Sequence, residues 1–289
     1  MSKTERPVVG IGEILFDLLP GGAQLGGAPA NFAYHVSCLG GRGVAVSAIG
    51  KDARGAEVKS ILTSKKLEAV LPEVDFPTGV VKVTLDGRGV PEYTIIEDVA
   101  WDNVPYTAEM KALAGNAAAV CFGTLAQRSA VTRATIMDFI ADMPDDSLKV
   151  YDINLRQHYY SREIIEDSLK VADILKINDE EIGVVGALFG MEGGYEAICR
   201  VLIESYGLRL VILTKGAEGS DVITMHEKYS VECPNVKIAD TVGAGDSFTA
   251  AFVHAYLRGD PIEECHKLAN RISAFVCSRS GAMPEYDKA

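Results

Sequence analysis

One stretch of this sequence decides how the rest is interpreted, and it reads Ala239-Asp240-Thr241-Val242-Gly243-Ala244-Gly245-Asp246-Ser247-Phe248. A helical pattern follows it, in which Phe248, Phe252 and Tyr256 share one face. The helix therefore begins at a turn of small residues, 243–245. Because no bulky side chain blocks this turn, successive backbone N–H groups can converge on an anion, and the helix dipole adds positive potential there. The pattern predicts an anion-binding helix start.

Asp246 stands inside that helix start and allows two interpretations. An acidic residue in a first turn is often only a cap, which the helix dipole stabilises by about 0.3–1 kcal/mol. A cap needs one suitable residue, however, and not the open turn that Gly243 and Gly245 provide. A carboxylate beside a phosphate cradle can accept a proton from an attacking hydroxyl, which is the role of a catalytic aspartate in phosphoryl transfer.

A second glycine cluster lies near the N-terminus and reads Leu25-Gly26-Gly27-Ala28-Pro29-Ala30-Asn31-Phe32. Pro29 suits the first turn of a helix, and Gly26 and Gly27 permit close backbone approach. Asn31 can point its amide at whatever lies above this helix start. Upstream, Asp17 follows the first strand, and ligands bind beyond the carboxyl ends of strands in open parallel sheets. The alternative is a tight turn before an ordinary helix, with Asp17 in a solvated loop.

Short apolar runs alternate with amphipathic stretches along the chain. The predicted strands are Val8–Ile11, Val44–Ile49, Ala118–Phe122, Val150–Ile153, Ile174–Ile177 and Leu210–Leu213, and predicted helices cover 130–143, 162–171 and 193–206. This alternation predicts an α/β fold with a largely parallel sheet covered by helices on both faces. With 48% hydrophobic residues, residues 1–289 suffice for a single large domain.

One region, residues 79–101, breaks the alternation. Val81, Val83 and Leu85 alternate with polar residues, and Asp86-Gly87-Arg88-Gly89 supplies a turn to a second strand, so a β-hairpin is predicted. A hairpin alone is marginal in water. We expect it to pack on a further strand, a ligand or a second subunit, and its edge and apolar face predict a homodimer. A peripheral decoration is the alternative.

Composition argues against several classes of protein. The formal charge of −12 disfavours a nucleic-acid binder, which needs a basic surface. The sequence contains no signal peptide pattern and no run of about 18 apolar residues, so we expect no membrane span. The six cysteines lack CxxC spacing, and the five histidines form no zinc-ligand pattern. We expect free thiols and a cytoplasmic protein.

Familiar nucleotide motifs do not occur in the sequence. It contains no GxxxxGK[ST] loop and no HRD or DFG set, and GIGEILFD stands where a dehydrogenase would have GxGxxG after its first strand. If this chain transfers phosphate, it uses a different apparatus.

Together, the two glycine clusters resemble the signatures of the ribokinase-like (PfkB) carbohydrate kinases. GGAPAN matches the family's GG-x-x-x-N motif, and DTVGAGD matches its D-T-x-G-A-G-D motif. Their order, their separation and the intervening hairpin also match, so the likeness covers essentially the whole chain. The resemblance implies ATP-dependent phosphorylation of a sugar hydroxyl with Mg²⁺, with K⁺ as a further candidate. It also implies a ribokinase-like fold with a small β lid, here from about residues 13–25 and 77–103.

The resemblance also implies a role for individual residues. Asp246 is the implied base, and Gly243, Ala244 and Gly245 are the implied anion hole. The implied sugar-binding residues are Asp17, Gly27, Asn31 and Arg156, and the implied nucleotide-binding residues are Asn178, Thr214, Gly216, Gly219 and Asn270. Glu181 of the N-x-x-E motif is implied to help organise magnesium, and Asp240 and Gly281 resemble parts of a monovalent-cation site. Trp101, in a segment that resembles fructokinase lids, is expected to cover the sugar ring.

Each of these roles has a structural alternative. Asn178 and Glu181 can form a plain helix cap, Asp152 and Arg156 can form an ion pair, and residues 214–219 can be a simple turn between strands. Asn270 can be an exposed helix residue. Trp101 can be a core or dimer contact.

The sugar is inferred from finer features. GGAPAN resembles fructokinases, and no basic residue stands between Gly21 and Phe32, which disfavours a substrate that already carries phosphate. Fructose is therefore the expected acceptor. The nearest rival is a 2-keto-3-deoxygluconate kinase, because Arg156 can pair with a carboxylate, and a ribokinase follows. A non-catalytic sugar- or nucleotide-binding relative is the alternative of a different class, but mere binding does not need Asp246.

Overall fold

Two main sheets organise the computed structural model, which describes residues 5–19, 21–85 and 91–286. Within these residues the strands are β1 Val8–Ile11, β2 Leu15–Leu19, β3 Gly22–Gly26, β4 Gly43–Val46, β5 Ile49–Gly50, β6 Glu68–Val70, β7 Glu73–Val74, β8 Gly79–Leu85, β9 Pro91–Ile95, β10 Ala119–Phe122, β11 Leu148–Asp152, β12 Ile174–Asn178, β13 Leu210–Thr214, β14 Ser220–Ile223 and β15 Lys228–Val231. The helices are α1 Ala28–Cys38, α2 Ala53–Ser64, α3 Ala108–Ala114, α4 Ala130–Ala141, α5 Arg162–Val171, α6 Asp179–Phe189, α7 Tyr195–Tyr206, α8 Ala244–Leu257 and α9 Ile262–Cys277.

The larger sheet has the order β15-β14-β13-β12-β11-β10-β1-β4-β6 in the described part of the chain. The pairs from β6 to β13 are parallel, and the pairs β13–β14 and β14–β15 are antiparallel. The predicted α/β class and the largely parallel sheet are thus confirmed. The chain runs outward from β1 in both directions, through β4 on one side and β10 on the other. In sheets of this kind ligands bind at the carboxyl ends of the strands where the order reverses.

Successive side chains of a strand point to opposite sides of the sheet. The central strands are apolar and buried along their whole length, so both faces of the sheet are covered by helices. Along β1, Val9 faces one buried cluster, which α3 to α7 complete, and Val8 faces the other, which α1, α8 and α9 complete. Fully buried side chains such as Phe139 and Phe252 anchor the two layers, and each contributes about 1.5–3 kcal/mol by leaving water. Within the described residues, none of the helices has the length and apolar character needed to span a bilayer.

The predicted elements and the observed ones agree at several positions and differ at others. β1 and α5 have the predicted bounds. The predicted strand 44–49 is instead two strands, since β4 ends at Val46 and the short β5 pairs with β7 in a separate small sheet. The predicted helix 193–206 starts later, at Tyr195, because Gly193 has φ 118° and Gly194 is its N-cap.

The second sheet has the order β3-β2-β8-β9 in the described residues. β8 and β9 form the predicted hairpin and pair antiparallel, with Val81 opposite Ile95. The expected turn at Asp86-Gly87-Arg88-Gly89 lies outside the described residues. β8 also pairs in parallel with β2. The hairpin therefore packs on a further strand, which is one of the three packing partners that the sequence predicts.

Trp101 does not line the ligand cleft, and the prediction that it covers a sugar ring is wrong. Its side chain is fully buried, in a short turn of 3-10 helix at Ala100–Asp102. The guanidinium of Arg128 lies 4.0 Å from the centre of its ring. The Nε and Nη2 atoms of Arg128 each donate to the Asp102 carboxylate at 2.8 Å, and Nη2 also donates to the Ile96 carbonyl at 2.6 Å. Trp101 is therefore a core residue beneath a buried ion pair that holds the end of β9 against the larger sheet.

This arrangement makes Arg128 a stability determinant. Its side chain and that of Asp102 are each 7% exposed, so Arg128→Met leaves an uncompensated buried carboxylate. We expect the free energy of unfolding, measured by urea denaturation, to fall by roughly 3–5 kcal/mol. The matched control is Arg133→Met on α4, whose partners Glu163 and Asp167 are exposed; it should lose about 1 kcal/mol or less. Equal losses in the two variants would contradict this account.

Candidate active site

A cleft of about 1370 Å³ opens between the carboxyl edge of the larger sheet and the second sheet. The second sheet contributes Leu15, Val81 and Ile95, and the opposite wall includes the starts of α1 and α8. Most of the predicted site residues line this one cleft: Asp17, Gly27, Asn31, Arg156, Asn178, Thr214, Gly216, Gly219, Gly243, Ala244, Gly245, Asp246 and Asn270. Residues as far apart in sequence as Asp17 and Asn270 thus line one cleft at the carboxyl edge of the larger sheet.

The predicted anion turn has the geometry that its glycines require. Gly243 is the N-cap of α8 with φ 79°, and a β-carbon there would lie 2.8 Å from Ala282. A β-carbon on Gly245 would lie 3.0 Å from the Lys176 Nζ atom. The first backbone N–H groups of a helix have no intrahelical acceptor, so this turn presents donors and a positive dipole to the cleft. Such a turn is suited to an anionic group, and its role toward a nucleotide phosphate remains a prediction.

Asp246 connects the two glycine clusters. Its Oδ2 atom accepts a hydrogen bond of 2.8 Å from the Asn31 Nδ2 atom in α1. Burial and, to a lesser extent, the nearby charge of Asp152 together raise the pKa of Asp246 to about 6. The hydrogen bond from Asn31 and the charges of Lys176 and Arg156 oppose this rise. A carboxylate whose pKa lies this close to neutrality is suited to act as a general base.

Lys176 is a site residue that the sequence reading missed. It lies in β12 and is 7% exposed, and its Nζ atom lies 3.1 Å from the Asp152 Oδ1 atom. The Thr249 hydroxyl donates to the other Asp152 oxygen at 2.9 Å. The alternative pairing of Asp152 with Arg156 is thus wrong, because Lys176 is the partner. A lysine within an otherwise apolar strand was the available signal, since lysine is rarely buried without a counter-charge.

The residues predicted to bind the sugar lie near the carboxyl end of β1. Asp17 in β2 lines the cleft, and burial raises its pKa, while the charge of Arg156 opposes the rise. Gly27 has φ 119° and caps α1. Glu13 lines the same cleft and is 4% exposed, and no role was predicted for it.

Asn178 and Glu181 form a complete capping box at the start of α6. The Asn178 Oδ1 atom accepts from the Glu181 N–H at 2.8 Å, and the Glu181 Oε2 atom accepts from the Asn178 N–H at 2.9 Å. The other Glu181 oxygen accepts from the Leu155 N–H at 2.8 Å. Asn178 lines the cleft but Glu181 does not, so Glu181 holds the backbone at Asn178 and Leu155. Its link to magnesium remains a prediction.

The residues predicted to bind the nucleotide line another part of the same cleft. The segment from Thr214 to Gly219 joins β13 to β14, with the Lys215 N–H donating to the Gly219 carbonyl at 2.8 Å. It is therefore a turn between strands that also lines the cleft. Asn270 is not an exposed helix residue, because it is 7% exposed and its Nδ2 atom donates to the Ser220 hydroxyl at 3.0 Å. Its contact with a nucleotide base remains a prediction.

Asp240 and Gly281 lie together outside the cleft lining. The Asp240 carboxylate accepts from the Gly281 N–H at 3.0 Å and from the Val242 N–H at 3.1 Å. Among the described residues no three side chains of His, Cys, Asp or Glu gather as a metal site. A potassium site here remains a prediction that depends on backbone carbonyls.

Comparison with known proteins gives a consistent result. Residues 22–289 match the family described as pfkB family carbohydrate kinase. PH1459 of Pyrococcus horikoshii, a protein described as an uncharacterized sugar kinase, is 29% identical over 95% of this chain and 91% of its own. Its crystal structure with ATP superposes with a TM-score of 0.79 over 96% and 94% of the two chains. Fructokinase-2 of Zea mays is 28% identical over 96% of this chain and 90% of its own. The structure of Vibrio cholerae fructokinase with fructose, ADP and calcium gives a TM-score of 0.81 at 24% identity, over 98% and 96% of the chains.

The pKa of Asp246 leads to a prediction about pH. Because the base must be ionised and its pKa is raised to about 6, kcat/KM should fall about tenfold per pH unit below that value. Asn31→Ala removes a hydrogen bond that stabilises the ionised form, so the pKa should rise further and the acid limb should move to higher pH. Asn116→Ala, at an exposed position, is the control. An acid limb near pH 4, or one that Asn31→Ala leaves in place, would refute the assignment.

Proposed function

The chain belongs to the pfkB family of carbohydrate kinases, and from this premise we propose that it phosphorylates a neutral sugar, D-fructose in particular, with ATP. It is a sugar kinase by family; the identity of the sugar is our proposal. One observation carries it. Five acidic residues line the cleft, namely Glu13, Asp17 and Asp246, together with Asp179 and Glu180 at the start of α6. The cations that line it among the described residues are Arg156 and Lys176, and Lys176 is paired with Asp152.

This charge distribution disfavours acidic acceptors. A sugar acid or a sugar phosphate would bring its own negative charge close to several carboxylates, and Arg156 would be the available counter-charge. Like charges repel strongly when they lie close together in a partly buried site. A neutral polyol instead finds acceptors and donors for its hydroxyls. The fructokinases among the relatives, about 28% identical, support fructose. The second candidate acceptor is 2-keto-3-deoxygluconate. The observation in its favour is that Arg156 lines the cleft, where it can pair with the carboxylate of a sugar acid.

In the proposed reaction, Asp246 takes the proton from a primary hydroxyl of the sugar. The hydroxyl oxygen forms a bond to the γ-phosphorus, and the bond from that phosphorus to the β,γ-bridging oxygen breaks, which leaves ADP. The amides of residues 243–245 stabilise charge on the transferred group. Mg²⁺ bound with ATP would add charge neutralisation. Asn178 lines that end of the cleft, and Glu181, outside the lining, would act on the ion only indirectly, through the backbone that it holds. The proposed K⁺ would bind beside Asp240 and Gly281 and support the turn.

The second sheet is suited to serve as a lid in this reaction. Leu15, Val81 and Ile95 present apolar side chains to the sugar end of the cleft. We infer that this sheet covers the acceptor and excludes water, because water at the same position would compete for the γ-phosphoryl group.

We also infer a cytoplasmic location. All six cysteines lie among the described residues, and the structure joins none of them in a disulfide. Free thiols in a chain of this size are typical of a reducing compartment.

A substrate panel tests the proposed function. ADP formation is measured with fructose, ribose, 2-keto-3-deoxygluconate and a nucleoside, for the native protein and for Asp246→Asn. Fructose should give the highest kcat/KM, and Asp246→Asn should lower kcat by a factor of about 10²–10⁴ with little change in sugar affinity, since the amide cannot accept the proton. A higher kcat/KM for 2-keto-3-deoxygluconate than for fructose would show that the sugar acid, and not fructose, is the acceptor. Near-normal turnover of Asp246→Asn would exclude Asp246 as the base.

A homodimer through the second sheet is a further prediction. β3 is an edge strand in which Gly22, Ala23 and Gln24 are exposed, and exposed edges pair with other strands unless they are blocked. The native protein should sediment as a dimer, and Ala23→Lys should yield folded monomers because an edge lysine opposes strand pairing. Val131→Lys on α4, where the valine is 50% exposed, is the matched control and should remain dimeric. A native protein that sediments as a monomer would exclude this interface.

A further inference from the structure

We propose that Glu13 is a substrate-contacting residue whose carboxyl group hydrogen-bonds a second hydroxyl of the sugar, near the one that Asp246 deprotonates. Glu13 would thereby select acceptors that carry hydroxyls at two positions. This inference rests on the proposed function and adds a specificity-determining residue to it.

Glu13 is placed by the fold at the reversal of the strand order. It follows Gly12, directly after β1 ends at Ile11, so it lies at the carboxyl end of the strand from which the chain runs to both sides of the sheet. Gly27, the N-cap of α1, packs directly against the Glu13 backbone. The side chain therefore lies beside the helix start that also positions Asn31, whose amide bonds Asp246.

The hydrogen bonding of the Glu13 carboxyl group is incomplete. The backbone amides of Glu13 and Ala28 stabilise its anionic form, but its Oε2 atom is buried and has no partner within the described residues. A buried carboxyl oxygen without a partner is unfavourable, and native proteins seldom keep one without a reason. Asn31 Oδ1 is a second unpartnered atom of a residue that lines the cleft, whereas Trp101 Nε1 and Gln127 Oε1 belong to residues outside its lining. The missing partner of Glu13 can come from a ligand.

The surroundings of Glu13 indicate what kind of ligand group this is. Burial raises the pKa of Glu13 to about 7, with the charge of Asp246 acting in the same direction and that of Arg156 in the opposite one. Near neutral pH the carboxyl group therefore occurs in both protonation states. A sugar hydroxyl can donate to the ionised state and accept from the neutral one, whereas an anionic ligand group could only accept. A hydroxyl is the group that suits both states.

One competing partner is a single water. A cavity of about 10 Å³, lined by Glu13, Asp152 and Asp246 together with Phe32 and Phe122, lies behind the cleft. Its size suits about one water and no larger group. A water there would satisfy Glu13 without any contact with the sugar, so the two possibilities predict different kinetics when the carboxyl group is removed.

The experiment compares Glu13→Ala and Glu13→Gln with Glu57→Ala, the same substitution at an exposed position of α2. KM for the sugar and for ATP, kcat, and the thermal unfolding midpoint are measured for each. Glu13→Ala should raise the sugar KM about 10- to 100-fold and leave the ATP KM unchanged. Glu13→Gln keeps a donor and an acceptor and should stay within about threefold of the native protein. Glu57→Ala should match the native values.

A series of deoxy and anhydro analogues of the best sugar identifies the hydroxyl. One analogue should be an equally poor substrate for the native protein and for Glu13→Ala, because both lack the same hydrogen bond. If the native protein phosphorylates a sugar but a folded Glu13→Ala keeps the native sugar KM, Glu13 has no contact with the substrate and the water explanation holds. If every analogue is penalised by Glu13→Ala as much as the parent sugar, the inference is also wrong. If the native protein phosphorylates no sugar, the proposed function fails and this inference fails with it.

Discussion

The hydrogen bond from Asn31 to Asp246 is the contact on which the site depends. It joins the starts of α1 and α8, which lie 215 residues apart in the chain, and both helices pack on the same face of the larger sheet. Two helices can bring their N-termini together in this way only if the strands beneath them allow close approach. Gly10 in β1 meets that need, because a β-carbon there would overlap the Pro29 carbonyl. Gly10 thus permits the close contact of the two helix starts that places Asp246, the proposed base, beside the anion turn.

The same closeness explains why the site contains buried charge. Asp246 and Glu13 both have raised pKa values because they are withdrawn from water, and an ionised group in such a place reduces stability. The Asp152–Lys176 pair, held by Thr249, lies directly behind them and compensates its own charges. A structure optimised for stability alone would fill this region with apolar residues. That three carboxylates and a buried ammonium meet here is consistent with proton transfer beside a phosphate.

The sequence was sufficient for the features that depend on local pattern. β1 and α5 have the predicted bounds because an apolar run and a capped amphipathic helix are local signals, with Ser161 as the cap. The prediction for Trp101 was wrong because the sequence around an aromatic residue beside a hairpin does not indicate whether its side chain faces a ligand or the core. Its burial depends on Arg128, a partner 27 positions away. Lys176 and Glu13 were missed for the related reason that a single charged residue next to a strand does not indicate which other residues it will meet.

In the proposed function, the two ends of the cleft bind their ligands by different physical means, and this explains how a strongly acidic protein can bind a nucleotide. A protein with a formal charge of −12 has to hold a nucleotide with several negative charges, yet the cations that line the described cleft are Arg156 and Lys176. The anion turn supplies what side chains do not. Its backbone amides and the α8 dipole carry partial positive charge without a basic surface, and they leave the sugar end free to use carboxylates for neutral hydroxyls. Because the donors are backbone groups, the glycines of residues 243–245 matter through the space they leave rather than through any charge. A protein built in this way can keep an acidic surface, and its acceptor specificity then depends on the carboxyl groups that face the sugar.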